Sequence, residues 1–490
     1  MPVRVWGRIG AALAVLSLAA PAAHATSLST SPAGLHVVHA GGAPYLADRA
    51  GRYVLLRGVD SNALVQYASD FQETVPLARA DLQEMAALGF NFLRLAVSWS
   101  RIAPAPGEID GAYLDQIRSV LSWAASEGVY VLVDMHQDRY NRHTWPGNEV
   151  DGAPDWATLT DGVPCTPLEA TTACAQAAEQ NFWDDATVDG RPLQQWYLQA
   201  LRAVASAVSG SPALAGIELM NEPTQGALPP VAFEQAELYP FYRRMISGLR
   251  QAGVDAPLWF EPSVLRDLDD DAVPEAARFS ADPQLVYAVH IYTDVFSPPM
   301  SASDPEAHLR SSYQAAAAEA AVFGTPWVDD EFGADASPQW DRWISEEQSL
   351  QDEFLTGSGF WLWKQQPDFY GWATVRPDGS LRRSTLRAQL LSEPHVDAVP
   401  GRLLSTTWAA GRLTSQVSGP GGDLLLWSGT QVLRGGPSLL PAPLTRVLLD
   451  GRPVPVTCQA RSFSTAAVAL GGCDLTVRIP PGRHVIVLTS

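Results

Sequence analysis

Short, almost continuously apolar segments alternate along most of the chain with longer segments that have the periodicity of amphipathic helices. Such apolar runs are typical of parallel strands buried on both faces, and their alternation with helices is typical of βα units. We predict eight strands, at Tyr53–Asp60, Asn91–Val97, Val129–His136, Ala215–Glu222, Pro257–Pro262, Leu285–Tyr292, Pro326–Phe332 and Gly357–Lys364. Helices are predicted at Ala78–Leu88, Gly111–Glu127, Leu193–Ser209, Phe233–Gln251, His308–Ala321, Gln339–Glu353 and Thr385–Leu391, with only a short helix or loop at 264–277. Eight such units predict an α/β fold, a (β/α)8 TIM barrel.

The pattern changes near Pro394–Pro400. Beyond it the chain has short alternating segments separated by Gly-Gly, Asp-Gly and Pro-Pro-Gly turns, which predict a small C-terminal β-sandwich. We therefore assign residues 26–395 to the catalytic barrel and 396–490 to the sandwich. The sandwich could bind carbohydrate or buttress the barrel. Because no exposed aromatic triplet is recognisable in it, we favour the structural role.

The N-terminal segment has the three parts of a secretory signal peptide. Arg4 and Arg8 make its start basic, an apolar run follows from Ile9 to Ala20, and Ala23-His24-Ala25 offers a small-x-small cleavage site. The alternative is a buried N-terminal helix. The apolar run is too short to span a bilayer, which takes about 20 residues. We therefore predict that residues 1–25 are removed and that the mature protein is secreted and soluble.

Composition and charge narrow the classes of function. With 46% hydrophobic and 18% charged residues, the chain is globular rather than disordered. Its 33 basic and 53 acidic side chains give a net charge of −20, which argues against a nucleic-acid partner because phosphate binding depends on Lys and Arg. Lys364 is the only lysine, so Schiff-base chemistry is not expected. Nothing in the sequence demands an oligomer, and we expect a monomer.

The four cysteines form two close pairs along the chain. Cys165 and Cys174 are nine residues apart, and Cys458 and Cys473 are fifteen apart. In an oxidising compartment, two local disulfides are expected. A zinc site is the alternative, but neither CxxC spacing nor a histidine cluster accompanies these residues.

Candidate catalytic residues occur where the predicted strands end, which is where the active sites of TIM barrels lie. In chain order they are Arg94, His136, Asp138, Asn221, Glu222, His290, Tyr292, Glu331, Trp361 and Trp363. Glu222 and Glu331 follow strands four and seven and should face each other across the barrel mouth. Two carboxyl groups in a water-poor cleft push their pKa values apart, so that one stays protonated while the other is ionised. This arrangement predicts a retaining glycosidase, whose carboxyl groups stand about 5–5.5 Å apart.

We assign Glu222 as general acid/base and Glu331 as nucleophile. Asn221 is expected to hydrogen-bond the sugar 2-hydroxyl, Arg94 and Tyr292 to orient the nucleophile, and His290 to lie between the two glutamates. Each residue alone has a structural alternative, since Arg94 could pair with any buried carboxylate and His136 could be a core histidine. Their joint occurrence in order on successive strands favours the catalytic interpretation. No metal-ligand spacing competes for the glutamates, and no metal or cofactor is expected.

Taken together, Arg94, His136, Asn221-Glu222, His290-x-Tyr292, Glu331 and a strand-eight tryptophan resemble the active-site set of glycoside hydrolase family 5. The resemblance covers residues 36–392. The Met-His136-Gln-Asp138 segment, and a barrel followed by a sandwich, are similar to the endoglycoceramidase branch. The resemblance implies cleavage between an intact glycan and ceramide, with His136 and Asp138 at the first sugar and Trp363 as the strand-eight tryptophan. The alternative on the same barrel is a polysaccharide endoglucanase or mannanase; a non-catalytic lectin-like protein would leave both glutamates without a role.

One segment departs from the family pattern. Members that prefer glucosylceramide place a lysine just after strand one, where this chain has Gly58-Val59-Asp60-Ser61-Asn62. Asp60 is therefore expected to contact a sugar hydroxyl instead, and a galactosylceramide-type substrate is favoured.

A ceramide would require an apolar groove beside Glu222. Apolar loop residues that could line it are Val65, Phe71, Leu228, Phe233, Phe296 and Met300. Ordinary loop packing is the alternative. Since the surface is acidic, contact with a lipid surface should be weak and driven by apolar burial.

Overall fold

The computed structural model describes residues 34–65, 75–144, 152–165, 171–269, 276–296, 305–335, 337, 339–365, 373–374, 386–432, 446–464 and 469–489. At its centre eight parallel strands form a closed barrel, which confirms the predicted TIM barrel. Numbered along the chain, barrel strands 1 to 8 are Arg57–Leu64, Phe92–Ser98, Tyr130–His136, Leu214–Glu218, Leu258–Phe260, Leu285–Ile291, Trp327–Phe332 and Gly357–Phe360. The proposed signal peptide, residues 1–25, lies outside the described residues.

Helices surround the barrel. They span Arg79–Ala87, Trp99–Ile102, Gly111–Glu127, Thr171–Trp183, Leu193–Val208, Pro230–Phe233, Tyr239–Gln251, Val264–Asp269, Pro305–Phe323, Gln339–Phe354 and Leu386–Leu391, with a π-helical turn at Glu234–Leu238. Helix Gly111–Glu127 has clear local signals at both ends. The Asp110 side chain accepts the backbone N–H groups of Ala112 and Tyr113, and Gly128 ends the helix at φ 85°. Within the described residues, no helix combines the length and apolarity needed to cross a membrane.

Alternate residues of the barrel strands point inward, and the lower part of the interior is apolar. The inward-facing side chains share one buried cluster, whereas their sequence neighbours join the larger core under the helices. Phe92 and Trp259 stack there with ring centroids 6.0 Å apart. Leu35, Val37 and Leu46, which precede the first barrel strand, belong to the same cluster. The lower interior is therefore a packed floor.

Two residues further along these strands, the inward positions become charged. All are fully buried: Asp60, Arg94, Asp134, Glu218, Glu261, His290 and Asp330. Since buried charge is costly unless it is paired, a layer of this kind marks the functional end of the barrel.

The C-terminal region contains two antiparallel sheets that share a second apolar core, as predicted for a sandwich. The larger sheet contains His36–Val38, Tyr45–Ala47, Arg52–Val54, His395–Pro400, Gly422–Trp427, Gln431–Val432, Thr457–Ser464 and Ala469–Ile479. The smaller one contains Arg402–Ala409, Arg412–Gly419, Arg446–Leu449, Arg452–Pro453 and Gly482–Thr489; a separate pair is Thr187–Val188 with Arg191–Pro192. The larger sheet thus takes its first three strands from the segment before the barrel. Tyr53, expected in the first barrel strand, pairs instead with Val399.

Both predicted disulfides are present, Cys165–Cys174 and Cys458–Cys473. The second joins neighbouring strands of the larger sheet, since Thr457–Ser464 pairs with Ala469–Ile479. The first ties a loop to helix Thr171–Trp183.

Candidate active site

Glu222 and Glu331 meet at the carboxyl end of the barrel, as predicted. Glu222 lies just beyond barrel strand 4, and Glu331 lies in strand 7. His290 stands between them, its Nδ1 3.0 Å from Oε1 of Glu222 and 3.8 Å from Oε1 of Glu331. A carboxylate oxygen of Glu222 and a carboxylate oxygen of Glu331 lie within 4.8 Å of each other. This short separation suits a retaining glycosidase rather than an inverting one, whose carboxyl groups are about 6.5–9.5 Å apart.

Two donors fix the Glu331 carboxylate. The Tyr292 hydroxyl donates to Oε1 at 2.6 Å, and Arg94 Nη1 donates to Oε2 at 2.7 Å. The pairing of strands 6 and 7 is irregular between Val289 and His290, which places His290 opposite Glu331. Irregularities of this kind re-aim side chains next to active sites. The Glu331 carboxylate is therefore held by both of its oxygens, and Arg94 and Tyr292 lie where they were expected to orient it.

Arg94 is the buried cation beneath the site. It forms a bidentate salt bridge with Glu218, in which Nε and Nη2 donate to the two carboxylate oxygens at 2.8 and 2.9 Å. In all, it lies within 3.4 Å of five carboxyl groups, those of Asp134, Glu218, Glu261, Asp330 and Glu331. Burial raises the pKa of Glu218, but the charge and hydrogen bonds of Arg94 outweigh it and lower that pKa to about 2. Burial raises the pKa values of Glu261 and Asp330 well above the ordinary range, which favours their neutral forms.

Glu222 and His290 are in direct contact, and each shifts the pKa of the other. Burial raises the pKa of Glu222, yet the hydrogen bond and charge of His290 lower it further, so the net shift is downward. Burial lowers the pKa of His290, but the carboxyl groups of Glu261 and Glu331 raise it well above its usual value. The sequence had suggested that Glu222 alone retains the proton. The two pKa values are thus shifted in opposite directions, which favours His290 over Glu222 as the group that binds a proton.

The remaining predicted residues lie around this pair. Asn221 accepts a hydrogen bond from Arg94 Nη2 at its Oδ1, over 2.7 Å. The Nδ2 of Asn221 donates a hydrogen bond to the backbone carbonyl of Gln137 over 2.9 Å. His136 Nδ1 is 2.8 Å from Asp134, and its Nε2 is 4.0 Å from Asp138. The Asp138 side chain is 36% exposed. Asp138 is thus accessible to a sugar, whereas His136 is buried, with 3% of its side chain exposed.

Two predicted sugar contacts were wrong. Trp363 is fully buried; its Nε1 donates to Asp81 at 3.0 Å and its ring meets the edge of Phe90 in the core beneath the helices. Trp361 occupies the site instead, stacked on His136 with ring centroids 5.4 Å apart. Asp60 lies wholly inside the barrel, where burial raises its carboxyl pKa well above normal, helped by the charges of Glu331 and Asp330. It is not exposed to a sugar.

Several buried carboxyl groups beneath the site were missed. Glu218 and Asp330 interrupt apolar strands, and Glu261 stands directly after strand 5. Glu261 and Asp330 follow the inward-facing apolar residues Trp259 and Val328 by two positions, so strict alternation could have identified these two.

The residues considered for an apolar groove separate into three groups. Val65 and Phe233 are fully buried and pack against other buried apolar residues, while Leu228 is partly buried. Phe296 is 52% exposed, and its ring centroid lies 5.0 Å from that of Tyr292. Phe71 and Met300 lie outside the described residues. Phe296 is therefore an exposed aromatic side chain in contact with the active site.

Sequence comparisons place this geometry among known enzymes. A model of the cellulase family, glycosyl hydrolase family 5, matches residues 48–365. Endoglycoceramidase I of Rhodococcus hoagii (strain 103S) is 31% identical over 233 residues, covering 45% of this chain and 45% of that protein. Endoglycoceramidase of Hydra vulgaris is 26% identical over 255 residues, covering 44% and 47%. The match thus spans about half the length of these curated relatives.

Similarity to solved structures covers a larger share of the chain than similarity to these curated sequences. An endogalactoceramidase crystal structure has 26% identity and a TM-score of 0.75, covering 93% of this chain and 100% of that one. Endo-glycoceramidase II from Rhodococcus sp. has 26% identity and a TM-score of 0.70, covering 91% and 99%. The family match spans most of the chain and contains both glutamates, and this protein belongs to glycosyl hydrolase family 5.

Proposed function

We propose that the protein is a retaining glycoside hydrolase that cleaves the β-glycosidic bond between the glycan and the ceramide of glycosphingolipids. It releases an intact oligosaccharide or sugar together with ceramide. The main evidence for a retaining reaction is the short distance between Glu222 and Glu331, whose carboxylate oxygens lie within 4.8 Å of each other on either side of His290. Similarity to endoglycoceramidases supports the glycolipid substrate.

In the first step, Glu331 attacks the anomeric carbon, and the bond from that carbon to the ceramide oxygen breaks. Glu222 delivers the proton that this oxygen needs, and His290 supplies that proton along the 3.0 Å contact. The products are ceramide and a glycosyl ester on Glu331. In the second step, Glu222 takes a proton from water as the water oxygen attacks the same carbon. The ester bond breaks, Glu331 is freed, and the sugar keeps its original anomeric configuration.

An apolar contact for the ceramide is supported by Phe296. Few large apolar side chains in the described part of the chain are strongly exposed, and Phe296, at 52%, is the most exposed of them. It lies against Tyr292, which itself donates to the nucleophile. An exposed aromatic side chain beside a catalytic centre could be buried by the hydrocarbon chain of a lipid substrate, which would contribute to binding.

A galactosyl sugar next to ceramide is the finer part of the proposal. The only lysine, Lys364, forms an ion pair with Asp81, and its side chain is 12% exposed. Its ammonium group is therefore engaged by Asp81. The similarity to an endogalactoceramidase structure supports the same preference.

We also propose export, with the first 25 residues acting as a signal peptide. The two disulfides support an oxidising compartment. The net charge of −20 makes attraction to anionic bilayers unfavourable, so contact with lipid would be weak and brief. We propose that the enzyme acts as a monomer.

The test is a parallel incubation with galactosylceramide-series lipids, gangliosides and cellulose, followed by identification of the released sugars. We expect glycolipid cleavage with ceramide as the second product, fastest on the galactosyl series, and retained configuration in the first sugar seen by NMR. Release of soluble sugars from cellulose alone would identify a polysaccharide hydrolase. An inverted first product would overturn the mechanism.

A further inference from the structure

Glu261 has no part in the reaction described above, although it is placed at the centre of the site. It directly follows barrel strand 5 and is 1% exposed. Its Oε2 accepts the backbone N–H of Glu222 at 2.7 Å, and its Oε1 accepts Arg94 Nη2 at 3.1 Å. His290 Nε2 lies 3.4 Å from the same Oε1. One side chain therefore contacts the backbone of Glu222, the guanidinium group of Arg94 and the ring of His290.

The backbone of Glu222 needs support of this kind. Its φ is 40°, in the left-handed region that non-glycine residues adopt only when surrounding contacts offset the cost. Pro223 follows, which further restricts the conformations open to Glu222. The direction of the Glu222 side chain depends on this backbone, so the acceptor on its N–H also sets where the carboxyl group points.

Glu261 is itself anchored from outside the barrel. The Tyr242 hydroxyl, on helix Tyr239–Gln251, donates to the Glu261 carbonyl at 2.9 Å and is fully buried. Within the barrel, Glu218 shares a hydrogen bond with the Glu261 carboxyl group. Burial raises the pKa of Glu261 and the charge of Arg94 lowers that of Glu218, so Glu261 is the better donor in this hydrogen bond, and its other oxygen can accept from the Glu222 amide.

We propose that Glu261 is a positioning residue that fixes the acid/base Glu222 through the backbone N–H and thereby governs proton delivery to the leaving group. The proposal rests on the hydrolase part of the proposed function and not on the lipid. Its test uses soluble glycosides, so a failure to cleave glycolipids would leave it standing.

The test compares Glu261→Met with Glu261→Gln on phenyl and 2,4-dinitrophenyl β-glycosides of the sugar that the wild type hydrolyses best. Phenol leaves poorly and needs the proton, whereas 2,4-dinitrophenol leaves without it. For Glu261→Met we expect kcat/KM to fall about 10- to 100-fold on the phenyl glycoside and less than about threefold on the other. Glu261→Gln keeps an acceptor for the Glu222 amide and should stay within about threefold on both.

Two further variants separate positioning from general damage. Tyr242→Phe leaves the carboxyl group in place but loosens its anchor, so it should give a smaller loss with the same dependence on the leaving group. Glu319→Met removes a buried carboxyl group that pairs with Arg266 and Tyr287 outside the site. It should lower the melting temperature, and any loss of rate should be equal on both glycosides. An equal loss on both glycosides for Glu261→Met, or a Gln variant as impaired as Met, would overturn the proposal.

Discussion

Tyr292 donates a 2.6 Å hydrogen bond to Oε1 of Glu331, the shortest contact that fixes the nucleophile. Burial raises the pKa of the Tyr292 hydroxyl well above its usual value, and the charge of Glu331 raises it further. The hydroxyl therefore remains a donor at neutral pH. Since Arg94 holds the other oxygen, the carboxylate cannot rotate without losing one of two charge-assisted hydrogen bonds.

Tyr292→Phe should slow both chemical steps. A hydrogen bond to a charged group contributes about 1.5–3 kcal/mol, so kcat should fall by about 10- to 100-fold. The loss should appear on 2,4-dinitrophenyl and phenyl glycosides alike, because the nucleophile acts whatever the leaving group is. Steady-state kinetics on the two glycosides measures this. A loss confined to the phenyl glycoside would show that Tyr292 acts on the acid/base instead.

Substitution of the two tryptophans in the eighth barrel segment should affect different properties: catalysis for Trp361 and mainly stability for Trp363. Trp361 stacks on His136, so Trp361→Ala should reduce kcat/KM of the folded protein by about tenfold or more through lost sugar contact. Because Trp361 is largely buried, some loss of stability should accompany this defect. Trp363 fills the core beneath the helices, so Trp363→Phe should lower the free energy of unfolding by about 1–3 kcal/mol. Urea denaturation and kinetics on the folded fraction distinguish the two effects. A kinetic defect in Trp363→Phe without loss of stability would contradict the assignment.

The barrel and most of its catalytic residues could be predicted from the sequence because both depend on local patterns. Apolar runs define the strands, and side chains at strand ends must meet where parallel strands share an edge. The buried carboxyl layer follows from the same alternation, since Arg94 and Glu218 each stand two residues beyond an inward-facing position.

Other features depended on contacts between distant residues. The strand Arg52–Val54 joins the C-terminal sheet only because it pairs with His395–Pro400 more than three hundred residues later. Which tryptophan enters the site depends on Asp81, whose carboxyl group accepts the Trp363 indole N–H. The raised pKa of His290 depends on the carboxyl groups of Glu222, Glu261 and Glu331 around it. None of these relationships leaves a signal in the spacing of residues along the chain.

Phe296 should matter for lipid and not for soluble substrates. Full burial of a phenylalanine against a hydrocarbon chain is worth about 1.5–3 kcal/mol, so Phe296→Asp should reduce kcat/KM on glycolipid by about tenfold or more. Hydrolysis of an aryl glycoside should change by less than about threefold, because the side chain lies outside the hydrogen bonds of the glutamates. Assays of the two substrates in the same detergent measure the difference.

Val322→Asp provides the matched control. Val322 is 47% exposed on helix Pro305–Phe323 and has a similar apolar exposure to that of Phe296. The variant should cleave glycolipid at the wild-type rate. Equal losses for Phe296→Asp on both substrates, or a lipid-specific loss for Val322→Asp, would exclude a ceramide contact at Phe296.

Glu393 should make stability depend on pH at the junction of the barrel and the C-terminal sheets. It lies between helix Leu386–Leu391 and strand His395–Pro400, where burial raises its pKa to about 7; a hydrogen bond from Trp408 opposes the shift, and the charge of Asp352 adds to it. In the unfolded chain the carboxyl group loses its proton near pH 4.5. Between these values the folded state binds more protons, so the contribution of Glu393 to stability decreases as pH rises from 4.5 to 7.

Glu393→Gln removes this dependence, because its neutral amide can still accept the Trp408 indole N–H. At pH 4 the variant and the wild type should melt together, since Glu393 is protonated in both folded and unfolded wild type. At pH 8 the variant should be more stable by about 1–2 kcal/mol, a value below the full shift because the side chain is partly exposed. Thermal melting at the two pH values measures the difference. A stability gain of equal size at both would mean that packing, and not the buried charge, is responsible.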